Sequence, residues 1–333
     1  MLEPISWQIR IGRYFEVKRL TSDSHRWVTN CPRDGSIDGA PGVIVPNHLA
    51  GFLLHRDPQY VPAGQSASVA HNARAWNALA REGVALAQPA RDDELANPLA
   101  TVDPAGWLGG DICGWRVLCL AAGGGRHSAL YAAAGAQITV VDVSDEMLAL
   151  DRAVARERGF DARLVQTSME ELSMFAAGEF DLVIHPVSTC YVAEVAPVFQ
   201  AVARVTRPGG MYVSQHKSPT SLQATLRPEG ATGNYAFAER YYREGPLPPA
   251  EPSRLRERGT LEYLHRWEQL LGGICRAGFA IEDVLEPMHA DPAAEHGSFG
   301  HRAQYVAPYV RIKARRREDA GVSRGAKLTL IGE

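Results

Sequence analysis

One feature constrains this chain more than any other: an apolar strand that runs straight into three consecutive glycines. Val117, Leu118, Cys119 and Leu120 lead through Ala121 and Ala122 to Gly123, Gly124 and Gly125, and a helical pattern opens at about Arg126. Glycines at such a turn let the backbone approach a ligand with no Cβ in the way. The helix that follows leaves its first amides free to face a polar or anionic group. From Trp115 onward, strand and helix patterns alternate. Strands are predicted over 115–121, 137–142, 162–166, 180–185 and 210–215, and helices over 127–134, 145–158, 169–175, 193–206 and 261–277. Two more strands, 279–284 and 305–314, close the pattern with no helix between them, so they are expected to pair antiparallel. The fold class is therefore α/β, a seven-stranded, mostly parallel sheet with an antiparallel last strand and helices on both faces.

Asp142 ends the second strand, 17 residues after Gly125. A carboxylate there is placed to accept the paired hydroxyls of a ribose. It also suits the positive end of the helix that begins after Ser144. A dinucleotide-binding domain would share the acid, but Ser128 stands where its third glycine belongs, and the antiparallel ending departs from its all-parallel sheet.

The remaining segments narrow the choice. Strand three runs into Gln166, Thr167, Ser168, Met169, Glu170, Glu171 and Leu172, and strand four into His185, Pro186, Val187 and Ser188. Arg204 to Pro208 lead through Gly209 and Gly210 to strand five. As a set, over about residues 66–285, these segments resemble the successive motifs of class I (Rossmann-like) methyltransferases that use S-adenosylmethionine (SAM). The nearest pattern is the bacterial small-molecule group with a CLAxGGG first motif and an HPVS fourth motif. The resemblance implies methyl transfer from SAM, with S-adenosylhomocysteine (SAH) as product. It implies that Ala121, Gly123 and Gly125 line the methionine part of SAM, that Asp142 holds the ribose with Val143 against the adenine, and that Ser168 and Met169 contact the adenine. His185 to Ser188 would run beneath the sulfonium, and Asn72 lies on a helix that closes over the cofactor. The chain departs from the pattern at Cys119 and Ser168, where an acid is usual, and at Ala121, where a glycine is usual.

Catalytic and acceptor residues are less sharply marked. His185 and His216 stand at the ends of strands four and five, as bases or as satisfied core histidines, and Tyr191 is a third catalytic candidate. Residues 1–65 are expected to form a β-containing N-terminal extension that caps the substrate: Trp7, Ile9 and Ile11, then Phe15 and Val17 after Gly12, alternate with polar residues as strands do. The extension matches no family pattern; His25 and Trp27 there are candidates to cap an acceptor, or the end of a surface strand. Residues 217–260 form a Pro-rich insertion, a candidate lid, whose Tyr241 and Tyr242 could hold a cationic acceptor or sulfonium product. Residues 66–315 are expected to form the SAM-binding domain and 316–333 a tail, with the basic run from Lys313 to Arg317 solvated. His289, His296 and His301 with Asp291 and Glu295 match no metal-ligand spacing, so no metal is expected.

Composition sets the remaining bounds. A net charge of −3 gives no basic face for nucleic acid or a membrane surface, and no window resembles a spanning helix or signal peptide. Five scattered cysteines without a CxxC pair argue against zinc or a disulfide framework, and favour a cytoplasmic setting. The expected partner is a small molecule (a thioether, amine or carboxylate of an amino-acid-like metabolite), with a homodimer possible. The competing readings are a SAM-binding enzyme of this fold that transfers no methyl and a non-catalytic partner subunit.

Overall fold

The computed structural model describes residues 67–84, 87–230 and 233–318. The expectations for residues 1–65, including His25 and Trp27, lie outside the described residues. The chain opens with helix α1 (Ala67–Arg81), which buries Val69, Asn72 and Leu79 and ends at Gly83, φ 67°. Two short helices, α2 (Asp92–Ala96) and α3 (Pro98–Val102), occupy the turn-rich connection that follows.

The sheet begins with β1 (Arg116–Leu120), followed by α4 (Arg126–Ala133), β2 (Gln137–Asp142), α5 (Asp145–Arg158), β3 (Ala162–Gln166), β4 (Phe180–His185), α6 (Ala196–Val205) and β5 (Thr206–Lys217). After α7 (Pro219–Gln223), a long irregular segment leads to a π-turn (Glu268–Gly272) that runs into α8 (Gly273–Arg276). Strand β6 (Phe279–Leu285), helix α9 (Phe299–Ala303) and strand β7 (Tyr309–Arg316) complete the described chain. The strand order is β3-β2-β1-β4-β5-β7-β6. Strands β1 to β5 run parallel, and β7 enters antiparallel between β5 and β6. This is the expected architecture.

Local sequence explains the elements. Ser144 accepts the Met147 amide at 3.1 Å and caps α5, and Gly159, φ 73°, terminates it. The central strands are buried on both faces, with Val117 to Leu120 fully enclosed between two apolar layers.

Four elements differ from expectation. Helix α9 lies between β6 and β7, where a connection without a helix is expected. Residues 169–175 form turns rather than a helix. Ser168 Oγ accepts the Glu170 amide at 3.1 Å and Glu171 accepts the Ser173 amide at 3.0 Å. Arg204 takes the carbonyls of Leu172 and Phe175. The helix expected from residue 261 begins only at Trp267, because Tyr263 donates to the Cys190 carbonyl and His265 lies against those of Thr189 and Val192. The basic run is a strand rather than a solvated tail. In β7, Val310, Ile312 and Ala314 point inward, while Lys313 and Arg315 alternate with them and both pair with Glu282.

A buried guanidinium fixes the far end of the irregular segment. Arg302 on α9, 2% exposed, donates to Ser221 Oγ and to the carbonyls of Ser221, Ala224 and Thr225, all within 3.1 Å. No acid pairs with it among the described residues, and burial lowers its pKa. Cys119, Cys190 and Cys275 are free thiols. No helix among the described residues is long and apolar enough to cross a membrane.

Candidate active site

The sheet order reverses between β1 and β4, and the loops beyond the carboxyl ends of those strands part to form a crevice. A cleft of about 1200 Å³ opens there. Its first wall is the glycine turn. Ala121 is held at φ 48°, a left-handed conformation that carries strain for any residue with a Cβ. At Gly123 a Cβ would lie 2.7 Å from Met147 Cβ and 2.9 Å from Asp142 Oδ2, so only glycine fits between turn and carboxylate. Gly125 does not line the cleft; a Cβ there would strike Val154, so its smallness serves the packing of α4 on α5.

Asp142 is buried at the floor. Its Oδ2 accepts the Gly123 amide and its Oδ1 the Ser144 amide, both at 2.9 Å. No Lys or Arg pairs with it among the described residues, and burial raises its pKa against these amides. Each oxygen keeps acceptor capacity for a further donor from the cleft. A second acid, unmarked by any motif, supports the turn from behind. Asp151 of α5 is fully buried, accepts the Gly124 amide at 2.9 Å and the Ser128 hydroxyl at 2.5 Å, and is pushed up to about 6 by burial. Ser128, which stands where a dinucleotide-binding turn has glycine, is thus a partner of Asp151.

Val143, Thr167, Ser168, Met169 and Ser188 continue the same wall. The Ser168 and Ser188 hydroxyls engage their own loops, Ser168 at the Glu170 amide and Ser188 donating to the Pro186 carbonyl at 3.0 Å. Asn72 also faces the cleft, yet its amide is committed elsewhere. It donates to the carbonyls of Tyr191 and Leu261 at 2.9 and 3.0 Å and accepts the Leu261 amide at 2.8 Å. It clasps the 260s to the loop after β4.

The opposite wall comes from later in the chain: Tyr191, Gln215, Arg254, Glu257, His289 and Tyr309. Behind it lies an ion cluster. Lys217, at the end of β5, donates to the Leu255 carbonyl at 2.6 Å, to Glu257 at 2.7 Å and to Glu262 at 2.9 Å, and Arg256 pairs with Glu262 at 3.1 Å. Burial opposes the charge on Lys217, and these carboxylates overcome it, so its pKa is raised. Tyr191 donates to Glu257 at 2.7 Å and meets Trp76 edge to face, with ring centres 5.6 Å apart.

Tyr191 therefore reaches the cleft, but the two histidines proposed beside it do not line it. His185 lies buried at the end of β4, with Nδ1 2.8 Å from the Tyr212 hydroxyl and Nε2 without a partner among the described residues, and burial pulls it down to about 3. His216 sits between Thr189 Oγ1 and Ser214 Oγ, each at 2.8 Å, and burial takes it well below its ordinary value. Tyr241 and Tyr242 are also away from the cleft. The Tyr241 hydroxyl accepts the Trp267 amide at 3.1 Å, and Tyr242, 77% exposed, lies under Arg266. Sequence reasoning missed the cleft residues Gln215, Arg254, Glu257 and Tyr309 and the cleft position of His289, most of which lie in irregular segments without periodicity. Among the described residues no group of three or more His, Cys, Asp or Glu is placed to hold a metal ion.

Comparison with known proteins places this geometry. A family described as a methyltransferase domain matches residues 118–214. The chain is 32% identical over 235 residues to the uncharacterized methyltransferase YbaJ of Bacillus subtilis, covering 66% of this chain and 91% of that protein. It is 31% identical over 132 residues to the ubiquinone biosynthesis O-methyltransferase of Bordetella pertussis, a match over 38% of this chain and about half of that protein, 55%. Among solved structures, a SAM-dependent methyltransferase from Mesorhizobium loti shares the fold with a TM-score of 0.53 at 24% identity, covering 67% of this chain and all of that one. A second from Listeria monocytogenes does so at 0.52 and 18%, covering 66% and 98%.

Proposed function

This chain belongs to the class I SAM-dependent methyltransferases, and from that premise we propose that it methylates a small organic acceptor held in the same cleft as the cofactor. The residues of the first wall suit SAM. Asp142, buried and without a cation, offers two oxygens to the ribose hydroxyls, and the Gly123 position leaves no Cβ between turn and ligand. In this reading Ala121 and Gly123 border the methionine part, Val143 and Met169 border the adenine, and Ser188 lies below the reacting centre. When bound, SAM supplies an electrophilic methyl group on a sulfonium.

One observation carries the choice of acceptor. The cleft, at about 1200 Å³, exceeds the size of a pocket for one small ligand, and its second wall mixes aromatic with polar side chains that the cofactor does not need. The part played by these residues is alignment and exclusion of water. Asn72 and Lys217 hold the 253–262 segment, from which Arg254 and Glu257 reach the cleft, against the loop after β4. That arrangement supports the reading of residues 217–260 as a cap over the acceptor. Tyr241 and Tyr242, which would have favoured a thioether, lie elsewhere; the O-methyltransferase relative supports an oxygen acceptor. The test is SAH release from labelled SAM with a panel of phenols, hydroxy acids, carboxylic acids, amines and thioethers. Turnover that depends on an added small acceptor is expected. Tight SAH binding by calorimetry with no turnover on any panel member would defeat the proposal.

A further inference from the structure

Resting on the small-molecule reading above, we infer that His289, in the loop between β6 and β7, is the general base of the reaction and that the acceptor is a phenol-like or enolic hydroxyl. Four observations carry this. His289 lines the acceptor wall beside Arg254 and Tyr309. Its ring is braced edge-on by two aromatics, Phe299 of α9 at 5.4 Å and Tyr309 of β7 at 5.5 Å between centres. It is half-buried, and no hydrogen bond ties either ring nitrogen to a described residue, so a lone pair is available to a ligand. Arg254 lies with its guanidinium 4.4 Å over the Phe299 ring and pairs with no acid among the described residues, which puts an unshared positive charge where an oxyanion would form.

The groups that bear on His289 agree. Burial lowers its pKa and Arg254 lowers it further, so the imidazole is neutral and can take a proton. From β7 the Tyr309 hydroxyl turns away to donate to the Arg254 carbonyl at 2.9 Å, and α9 presents only the Phe299 ring. The other histidine on the cleft, His127, belongs to the glycine-turn helix, on the cofactor side. In the transfer, a lone pair of the acceptor oxygen forms the O–CH₃ bond as the methyl–sulfur bond breaks and its electron pair stays on sulfur. The hydroxyl proton passes to the free imidazole nitrogen, and the imidazolium later releases it to water. Charge balances: one cation, the sulfonium, is replaced by another, the imidazolium.

The experiment compares the wild type with His289→Gln and His289→Ala on phenols of graded acidity, with SAH affinity measured separately by calorimetry. Both variants are expected to bind SAH as the wild type does and to lose about 10²–10⁴-fold in turnover. The loss is expected to shrink for the most acidic phenols, and added imidazole should restore part of it in His289→Ala. With SAH bound, the His289 ring nitrogens followed by NMR should titrate below the ordinary histidine value, and Arg254→Met should move the midpoint upward. Turnover of His289→Gln within about threefold of wild type would overturn the inference, as would a wild type that methylates only acceptors without a dissociable proton. Both outcomes leave the small-molecule reading standing. A wild type that binds SAH and methylates no panel member removes that reading and this inference together.

Discussion

Replacing Asp151 with Asn keeps the shape of the side chain and removes a charge from the interior. Asp151 is fully buried, and burial lifts its carboxyl from 3.8 to about 6 against the pull of its bonds to Ser128 and Gly124. A gap of about two units corresponds to about 3 kcal/mol at about 1.4 kcal/mol per unit. The sign follows from linkage. Below about pH 4 the carboxyl is protonated in both folded and unfolded chains, and ionisation costs the fold nothing. Between about pH 4 and 6 the folded protein keeps a proton that the unfolded chain has released, so stability falls across that window, and above about 6 both are ionised and the deficit is full. Asn removes the deficit while preserving both contacts: its Oδ1 accepts the Gly124 amide and its Nδ2 donates to the Ser128 oxygen. Asp151→Asn is therefore expected to match the wild type near pH 4 and to exceed its stability by about 3 kcal/mol near pH 8. For a chain of 333 residues that is a Tm higher by about 4 °C. Urea unfolding of both proteins across this range isolates the effect, because the other carboxylates cancel in the difference. A difference that stays flat with pH, or a variant less stable near pH 8, would refute the reasoning.

Asp142→Ala should weaken SAH binding at least tenfold by calorimetry, since each charge-assisted bond it offers the ribose is worth about 1.5–3 kcal/mol; unchanged affinity in a folded variant contradicts the assignment. Ala121→Gly should stabilise the fold by about 1 kcal/mol, because it relieves a left-handed φ of 48°, and a urea midpoint lower than wild type would count against strain at this turn. Arg302→Met should cost about 2–4 kcal/mol by leaving the Ser221, Ala224 and Thr225 carbonyls buried without donors. A loss under about 0.5 kcal/mol would show that water replaces the guanidinium.

The cofactor half of the site was legible because its requirements are local. A strand, a glycine turn and an acid at the next strand end follow one another within about 25 residues, and each has a residue type that the backbone demands. Asp151 escaped notice because an acid on an amphipathic helix looks solvated; only the packing of α5 on the turn makes it internal. His185 and His216 misled for a geometric reason. Both end their strands, but side chains alternate across a sheet, and these two turn under α6, where Phe199 lies about 6 Å from the rings of His216 and Tyr212. The cleft is built one step later, from Pro186 to Ser188. The second wall of the cleft was illegible because Arg254, Glu257 and His289 sit in segments with no period: contacts from Asn72 and Lys217 place the first two, and Phe299 and Tyr309 place His289. The helix expected over 169–175 gave way to turns in which the Ser168 and Glu171 side chains accept the Glu170 and Ser173 amides.

The place of β7 between β5 and β6 has a consequence for the order of assembly. The wall of the cleft from Ala121 to Ser188 is complete once the ribosome has passed Ser188, and β1 to β4 can pair as they emerge. Strand β6 then appears with no neighbour, since its partner in the sheet is β7 alone. It must wait until residues 309–316 thread between it and β5, the step that also delivers Tyr309 to the acceptor wall. Closing those long-range pairs is the slow part of such a topology. The nascent protein thus completes the wall that the glycine turn begins first, and the wall that carries Tyr309 last.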